Sequence, residues 1–471
     1  MRISLLALAA SLALSSAACA VEPPVGGVAA AAATAATAAG LRDKALADET
    51  AWTVLEDLTT GVGPRPVGSP AMTRAKDWGV ETFRKLGFTN IKVESFAKPS
   101  WARGAESASI VGPYPFKLSI LGLGGTVPTA ASGVEAEIVV FDTLDDLKAA
   151  PDGALKGKIA VVNQVMPRTQ TGEGYGTTGV IRRTGASDAA RKGAIAYLTR
   201  SVSTSDSRLA HTGGLRYADD APKIPAAALG VPDADLLAAL AKRGPVRVKL
   251  NLASTNNSDT VAWNISGDIP GSVKPEEVIV IGGHLDSWDV GTGAIDDASG
   301  IAITTAAAKL IGDLPRHPRR TIRVVMWGSE ETGGSSEAYA AAHKEAIPSM
   351  VIAGESDLGA GRIYALQLPA GALEAPQLKS LTSVMAPLGL VVSREAARFG
   401  GSDTEGLQEA GVPVFSLRQD ASRYFDLHHS EDDTLDKVEP AALQQNVAAW
   451  AALLYLVADS DIDFRALKAA K

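Results

Sequence analysis

Residues 276–300 read EEVIVIGGHLDSWDVGTGAIDDASG. The run from Val278 to Ile281 has no polar face, so the strand it predicts is covered on both sides, as in a parallel sheet wrapped by helices. The strand then ends in charge: residues 282 to 300 hold one His, four Asp and five Gly. A buried strand running out into acids and an imidazole presents them at its carboxyl end, where open α/β sheets build their sites.

Downstream, strand, polar loop and helix repeat. AIDDASGIAITTAAAKLI predicts a helix, RTIRVVMWGSEE a strand, GGSSEAYAAAHKEA a helix and SMVIAGESD a strand. APQLKSLTSVMAPLG then predicts a helix, VPVFSL a strand and PAALQQNVAAWAALLYLVA a closing helix. The alternation implies the α/β class, with a mostly parallel, doubly wound sheet flanked by helices. Four exits carry candidate groups: His284 and Asp286, Glu330 and Glu331, Asp357, and the pair His428 and His429.

Each pair alone has a bland reading. Asp296-Asp297 suits a helix start, Glu330-Glu331 a surface, and His428-His429 a loop. Their recurrence at successive strand exits argues for one site. His211, His317 and His343 fall outside this pattern and read as structural. Gathering Asp296, Glu331 and Asp357 would be repulsive, and burial would raise their pKa values unless cations intervene. The single cysteine, Cys19, leaves only nitrogen and oxygen donors. Such donors suit zinc, and a shared carboxylate would let two ions sit about 3.5 to 4 Å apart.

Composition bounds the rest. The 471 residues are 46% hydrophobic, enough for two or three domains. Net charge is -8 with no dense Lys/Arg tract, which argues against a nucleic-acid partner. Residues 1–20 read as a signal peptide: Arg2, an apolar stretch, then Ala18-Cys19-Ala20 before the cleavage point. That stretch is too short for a transmembrane span. Export to the periplasm or outside follows, with lipid anchoring through Cys19 as the alternative. Residues 21–40 are an Ala-rich tether able to become partly helical, residues 41–124 the N-terminal part of the main domain, and residues 253–465 its core. Residues 125–252 alternate short β-like runs (AEIVVFD, GKIAVVNQ, AIAYLTR, VRVKLNLA) with turns, and hold no cluster of acids, bases or ligands. They read as an inserted domain that does no chemistry itself.

Taken in order, GPRPVGSP, GGHLDSWDVGTGAIDDASG, WGSEETGG, ESD and HHSEDDT resemble the co-catalytic di-zinc exopeptidases of the aminopeptidase Y and glutamate carboxypeptidase type, and among them the carboxypeptidase Q branch. The resemblance covers most of the chain from residue 41 and implies that the insert is a protease-associated domain. It makes His284 and Asp357 ligands of one zinc, Glu331 and His429 ligands of the other, and Asp296 the bridge. Glu330 becomes the general base and Asp286 the carboxylate that orients His284. A cis peptide is implied at Asp296-Asp297, tight turns at Gly291 and Gly293, and support of His429 by Asp433. The oxyanion falls to His428 or Tyr424, and RFGGSDTEGL (398–407) is either a substrate loop or an ordinary connection.

The implied function is hydrolysis of dipeptides or short peptides by a zinc metallopeptidase, whether aminopeptidase, carboxypeptidase or dipeptidase. A homodimer stays open. Two other readings of the same scaffold are a glutaminyl-cyclase-like acyltransferase, with one zinc, and a non-catalytic receptor-like domain that has lost ligands.

Overall fold

The computed structural model describes residues 25–112 and 115–467. The signal peptide, its cleavage point and Cys19 lie outside the described residues. Five strands form the main sheet: β1 (Thr89–Ala97), β2 (Val261–Ile269), β3 (Lys274–His284), β4 (Arg320–Trp327) and β5 (Met350–Glu355). Their order is β1-β2-β4-β3-β5. β3 is parallel to both neighbours, and His284 lies opposite Trp327 while Gly282 lies opposite Glu355. That register brings three strand exits to one edge.

The apolar run of β3 is buried on both faces, as its lack of alternation requires. Val278 and Val280 join Trp327, Tyr339 and Leu407 on one face. Ile279 and Ile281 join the larger core on the other, with Ile301 and Leu310 of helix α2 (Ser299–Gly312). The closing helix α3 (Pro440–Ala458) is long and apolar enough to cross a membrane, but 89% of that window is buried inside the protein.

The sheet is mixed rather than mostly parallel. β1 pairs antiparallel with β2, and β2 antiparallel with β4. For β2 the cause is connection length: only residues 270–273 separate it from β3, whereas a parallel crossover needs a dozen or more. Beyond β5 a single parallel bridge, Ala353 to Val414, leads to a three-stranded sheet of Ile363–Gln367, Val391–Val392 and Ser416–Gln419.

Three further expectations change. The Ala-rich stretch forms helix α1 (Val25–Ala45), whose Ala38, Leu41 and Ala45 are buried. Alanine is the best helix former, and its small side chain allows close approach to a neighbouring helix. Thr34 Oγ1 donates to Asp459 Oδ2 at 2.8 Å, so the stretch is docked rather than free. The helix expected over 375–389 is broken into short pieces around Leu381–Met385, where Pro376 and Pro387 interrupt it. Finally, the second sheet has eight strands and begins at Glu106–Val111, which pairs with Arg247–Leu252, rather than at residue 125.

Candidate metal centre

The Gly282-Gly283 pair lets β3 approach its neighbours at the exit: a Cβ on Gly283 would lie 2.5 Å from Asp297 Oδ2. That same oxygen accepts the His284 backbone N–H at 3.1 Å, while Asp297 Oδ1 accepts Gly300 N–H at 3.0 Å. Asp297 therefore caps α2 and pins the end of β3 with one carboxylate. The Asp296-Asp297 peptide is cis, and both residues depart from helical φ/ψ, so α2 starts only after them.

His284 Nδ1 donates to the Asp286 carbonyl at 2.9 Å, which leaves Nε2 facing Asp296 Oδ1 at 3.1 Å and Asp357 Oδ1 at 3.5 Å. The expectation for Asp286 changes in detail. Its carbonyl orients the imidazole; its carboxylate is 3.6 Å from Nδ1 and instead accepts the Glu330 N–H at 3.0 Å. The loop after His284 is held by Arg65, which is fully buried and donates to the carbonyls of Leu285, Thr292 and Gly293. Gly293 has φ 62, and a Cβ there would come within 2.5 Å of Ser287 Cβ.

Asp296 faces the second imidazole pair through its other oxygen. His429 Nε2 lies 3.2 Å from Asp296 Oδ2 and 2.9 Å from Glu331 Oε2; His428 Nε2 is 3.7 Å from Asp296 Oδ2. The two rings stack with centroids 3.4 Å apart. Donor atoms of His284, Asp296 and Asp357 lie within 4.8 Å of one another, as do those of Asp296, His428 and His429. Asp296 belongs to both groups. Tyr424 Oη donates to Asp296 Oδ1 at 2.9 Å, which commits that hydroxyl. Asp433, expected beside His429, accepts Ile295 N–H at 2.6 Å and so holds the loop before Asp296.

Residues 125–252 do more for this centre than their sequence suggests. Thr212 N–H donates to the His429 carbonyl at 3.0 Å, and the Thr212 carbonyl lies 3.2 Å from His429 Nδ1. Arg182, also buried, places Nη1 3.2 Å from that Nδ1 and donates through Nη2 to Tyr175 Oη at 2.6 Å. His211 Nδ1 donates to the His428 carbonyl at 2.6 Å, and Ser203 Oγ to the Phe425 carbonyl at 2.8 Å. This grip supports His429 at φ 62, a left-handed conformation that a residue with a Cβ seldom adopts. No local pattern announced Arg65, Arg182, His211 or Thr212, because each acts through backbone carbonyls or a neighbour far away in the chain.

Burial, and then neighbouring acids, push Glu330 well above the usual carboxylate range; burial also raises Glu331 and Asp357. Asp296 goes the other way. Burial alone would raise it, but His428, His284 and His429 hold it well below its ordinary value. The expected rise in all three acids is therefore corrected for the one ringed by imidazoles. Asp296 Oδ2, Glu331 Oε1 and Asp357 Oδ1 are buried without a hydrogen-bond partner, a costly state for carboxylate oxygens. Converging oxygen and imidazole donors with unspent lone pairs fit a divalent metal such as zinc.

A cavity of about 790 Å³ opens over this cluster, lined by Glu330, Glu331, Asp357 and His428 among others. Asp403 and Glu405 of the 398–407 stretch line it too, so that loop borders the cavity. Burial raises Asp403 to about 8.

The model of Peptidase family M28 matches residues 264–454, which contain His284 through His429. Carboxypeptidase Q of Mus musculus is 37% identical over 86% of this chain and 84% of its own length. The crystal structure of a Peptidase M28 precursor from Shewanella amazonensis SB2B superposes with TM-score 0.90 at 43% identity, covering 93% of this chain and all of that one. A zinc aminopeptidase from Bacillus subtilis, BSAP, shares the fold at TM-score 0.61 and 19% identity, over 86% of this chain and 94% of its own. Matched along most of its length by relatives of this kind, the chain belongs to Peptidase family M28.

Proposed function

We propose that the chain is an exported zinc exopeptidase that hydrolyses dipeptides or short peptides, with two zinc ions held by five side chains. His284 and Asp357 would hold one ion, Glu331 and His429 the other, with Asp296 between the two groups. The observation carrying this reading is the position of Asp296, one oxygen 3.1 Å from His284 Nε2 and the other 3.2 Å from His429 Nε2. His429 is preferred to His428 because its Nε2 also meets Glu331 at 2.9 Å.

Zinc, when bound, polarises the scissile carbonyl and brings water's pKa toward neutrality. Glu330 takes the proton of the attacking water and returns it to the departing amine. Its backbone is fixed by Asp286, and burial raises its proton affinity above that of an ordinary carboxylate. Because Tyr424 is committed to Asp296, it acts as a positioning residue. His428, whose ring borders the cavity, is the donor assigned to the oxyanion. The insert, read as a protease-associated domain, supports the turn that carries His428 and His429. Export rests on the sequence of residues 1–20.

The test is Glu330→Gln: dipeptide turnover should fall about 10²- to 10⁴-fold, with about two zinc per chain retained by elemental analysis. Undiminished turnover would remove Glu330 as the base. One zinc per chain in an active preparation would return the acyltransferase reading, which the comparisons do not favour.

A further inference from the structure

Beside the cavity over the metal cluster lies a second, smaller one of about 310 Å³. The two meet at Pro99, Trp101, Gly124 and Glu331, which border both. The remaining wall of the smaller cavity includes Pro66 and Val67 of the GPRPVGSP segment and Trp288 of the loop after His284. Trp101 is held in place by its neighbours. Its Nε1 donates to the Thr126 carbonyl at 3.0 Å, the Arg103 guanidinium lies 5.0 Å from its ring centroid, and Trp288 meets it edge-on with centroids 6.5 Å apart. Trp288 in turn rests on Gly124, where a Cβ would fall 2.0 Å from the indole, so any other residue there would displace the ring. Pro66 and Pro99 have no backbone N–H to offer. Of the polar residues at the border, Asp289 is paired with Arg103 at 2.8 Å, and Ser287 Oγ accepts the Arg65 N–H at 3.1 Å and donates to the Trp288 carbonyl at 3.0 Å. Water in such a pocket finds few partners, and an apolar group that displaces it gains free energy.

We propose that this pocket, walled by Trp101, Trp288, Pro66 and Val67, receives one large apolar side chain of the substrate, while the peptide backbone lies over the metal cluster in the larger cavity. Because Glu331 borders both cavities, a peptide held at the cluster lies at the mouth of the pocket. A volume near the lower end of ligand-sized cavities suits a single aromatic or branched aliphatic side chain rather than a whole peptide. The fixed indoles favour a ring, which they can meet edge to face without first having to be ordered. The inference rests on the peptidase reading above and gives it a side-chain preference.

The experiment compares alanyl-alanine, phenylalanyl-alanine and alanyl-phenylalanine on the zinc-loaded full chain. Phenylalanine at one of the two positions should raise kcat/KM about 10- to 100-fold over alanine. Trp101→Ala, which removes a wall, and Val67→Phe, which fills the space, should each abolish most of that preference, with zinc content and urea midpoint measured alongside. A crystal structure of Glu330→Gln with the preferred dipeptide reads the pocket without altering it: the ring should lie between Trp101 and Pro66. Equal turnover of the three dipeptides, a preference that survives both variants, or a ring seated in the larger cavity overturns the subsite and leaves the peptidase reading standing. A ring bound beside Trp101 in zinc-loaded wild-type protein that cleaves none of the peptides overturns the peptidase reading and leaves the pocket's ligand class standing.

Discussion

Arg65 shows how one buried side chain can decide the shape of a metal loop. Its guanidinium reaches the carbonyls of Leu285, Thr292 and Gly293, the two ends of the segment between His284 and Asp296. Arg65→Ala would strand these acceptors without water, at a cost of roughly 2–5 kcal/mol. We expect a lower urea midpoint together with weaker zinc retention on dialysis. Arg65→Lys should behave almost as badly, because an ammonium cannot span both ends of the loop as a planar fork does. A variant with full zinc retention would show that the loop holds its form without the clamp. The motif GPRPVGSP stands out in the sequence, yet the partners of its arginine lie more than two hundred residues away, where no local pattern points to them.

At the scale of elements, the turn carrying His428 and His429 is gripped by the insert. His211 is the most telling contact. Burial lowers its pKa from 6.5 to about 4, so it stays neutral while donating to the His428 carbonyl. Between those two values the unfolded chain binds a proton that the folded one refuses. The associated stability is complete above pH 6.5 and is lost as pH falls toward 4. The full swing is about 3 kcal/mol. Urea unfolding of metal-stripped protein should therefore show a steeper acid loss in the wild type than in His211→Gln; parallel curves would mean that His211 titrates normally. The strands of the main sheet were legible because continuous apolar runs such as Val278–Ile281 have one physical meaning. Their directions were not, because antiparallel pairing of β1, β2 and β4 depends on connection geometry, and hydrophobic patterning says nothing of that.

For the whole molecule, the acidic centre is a stability liability without its cations. Glu331 and Asp357 are raised by burial, and three oxygens of the cluster have no partner. Chelation should lower the thermal midpoint and addition of zinc should restore it, with a gain of about 4 kcal/mol at a thousandfold excess over Kd. A midpoint indifferent to chelator would mean that these acids tolerate one another unaided. Most of the residues that converge on this cluster were legible from the sequence because each ends a recognisable strand or sits in a short polar motif. The supporting contacts from residues 168–212 were not, since they become neighbours of the centre only after the chain has folded back on itself.

The hold of Thr212 and Arg182 on His429 also makes the candidate site depend on two separately wound portions of polypeptide. A protease nick within residues 201–211 would leave every acid of the main sheet in place while releasing one imidazole from its posture. We expect such a nick to lower activity while far-UV circular dichroism stays unchanged, so that intact bulk structure would be no guarantee of an intact site.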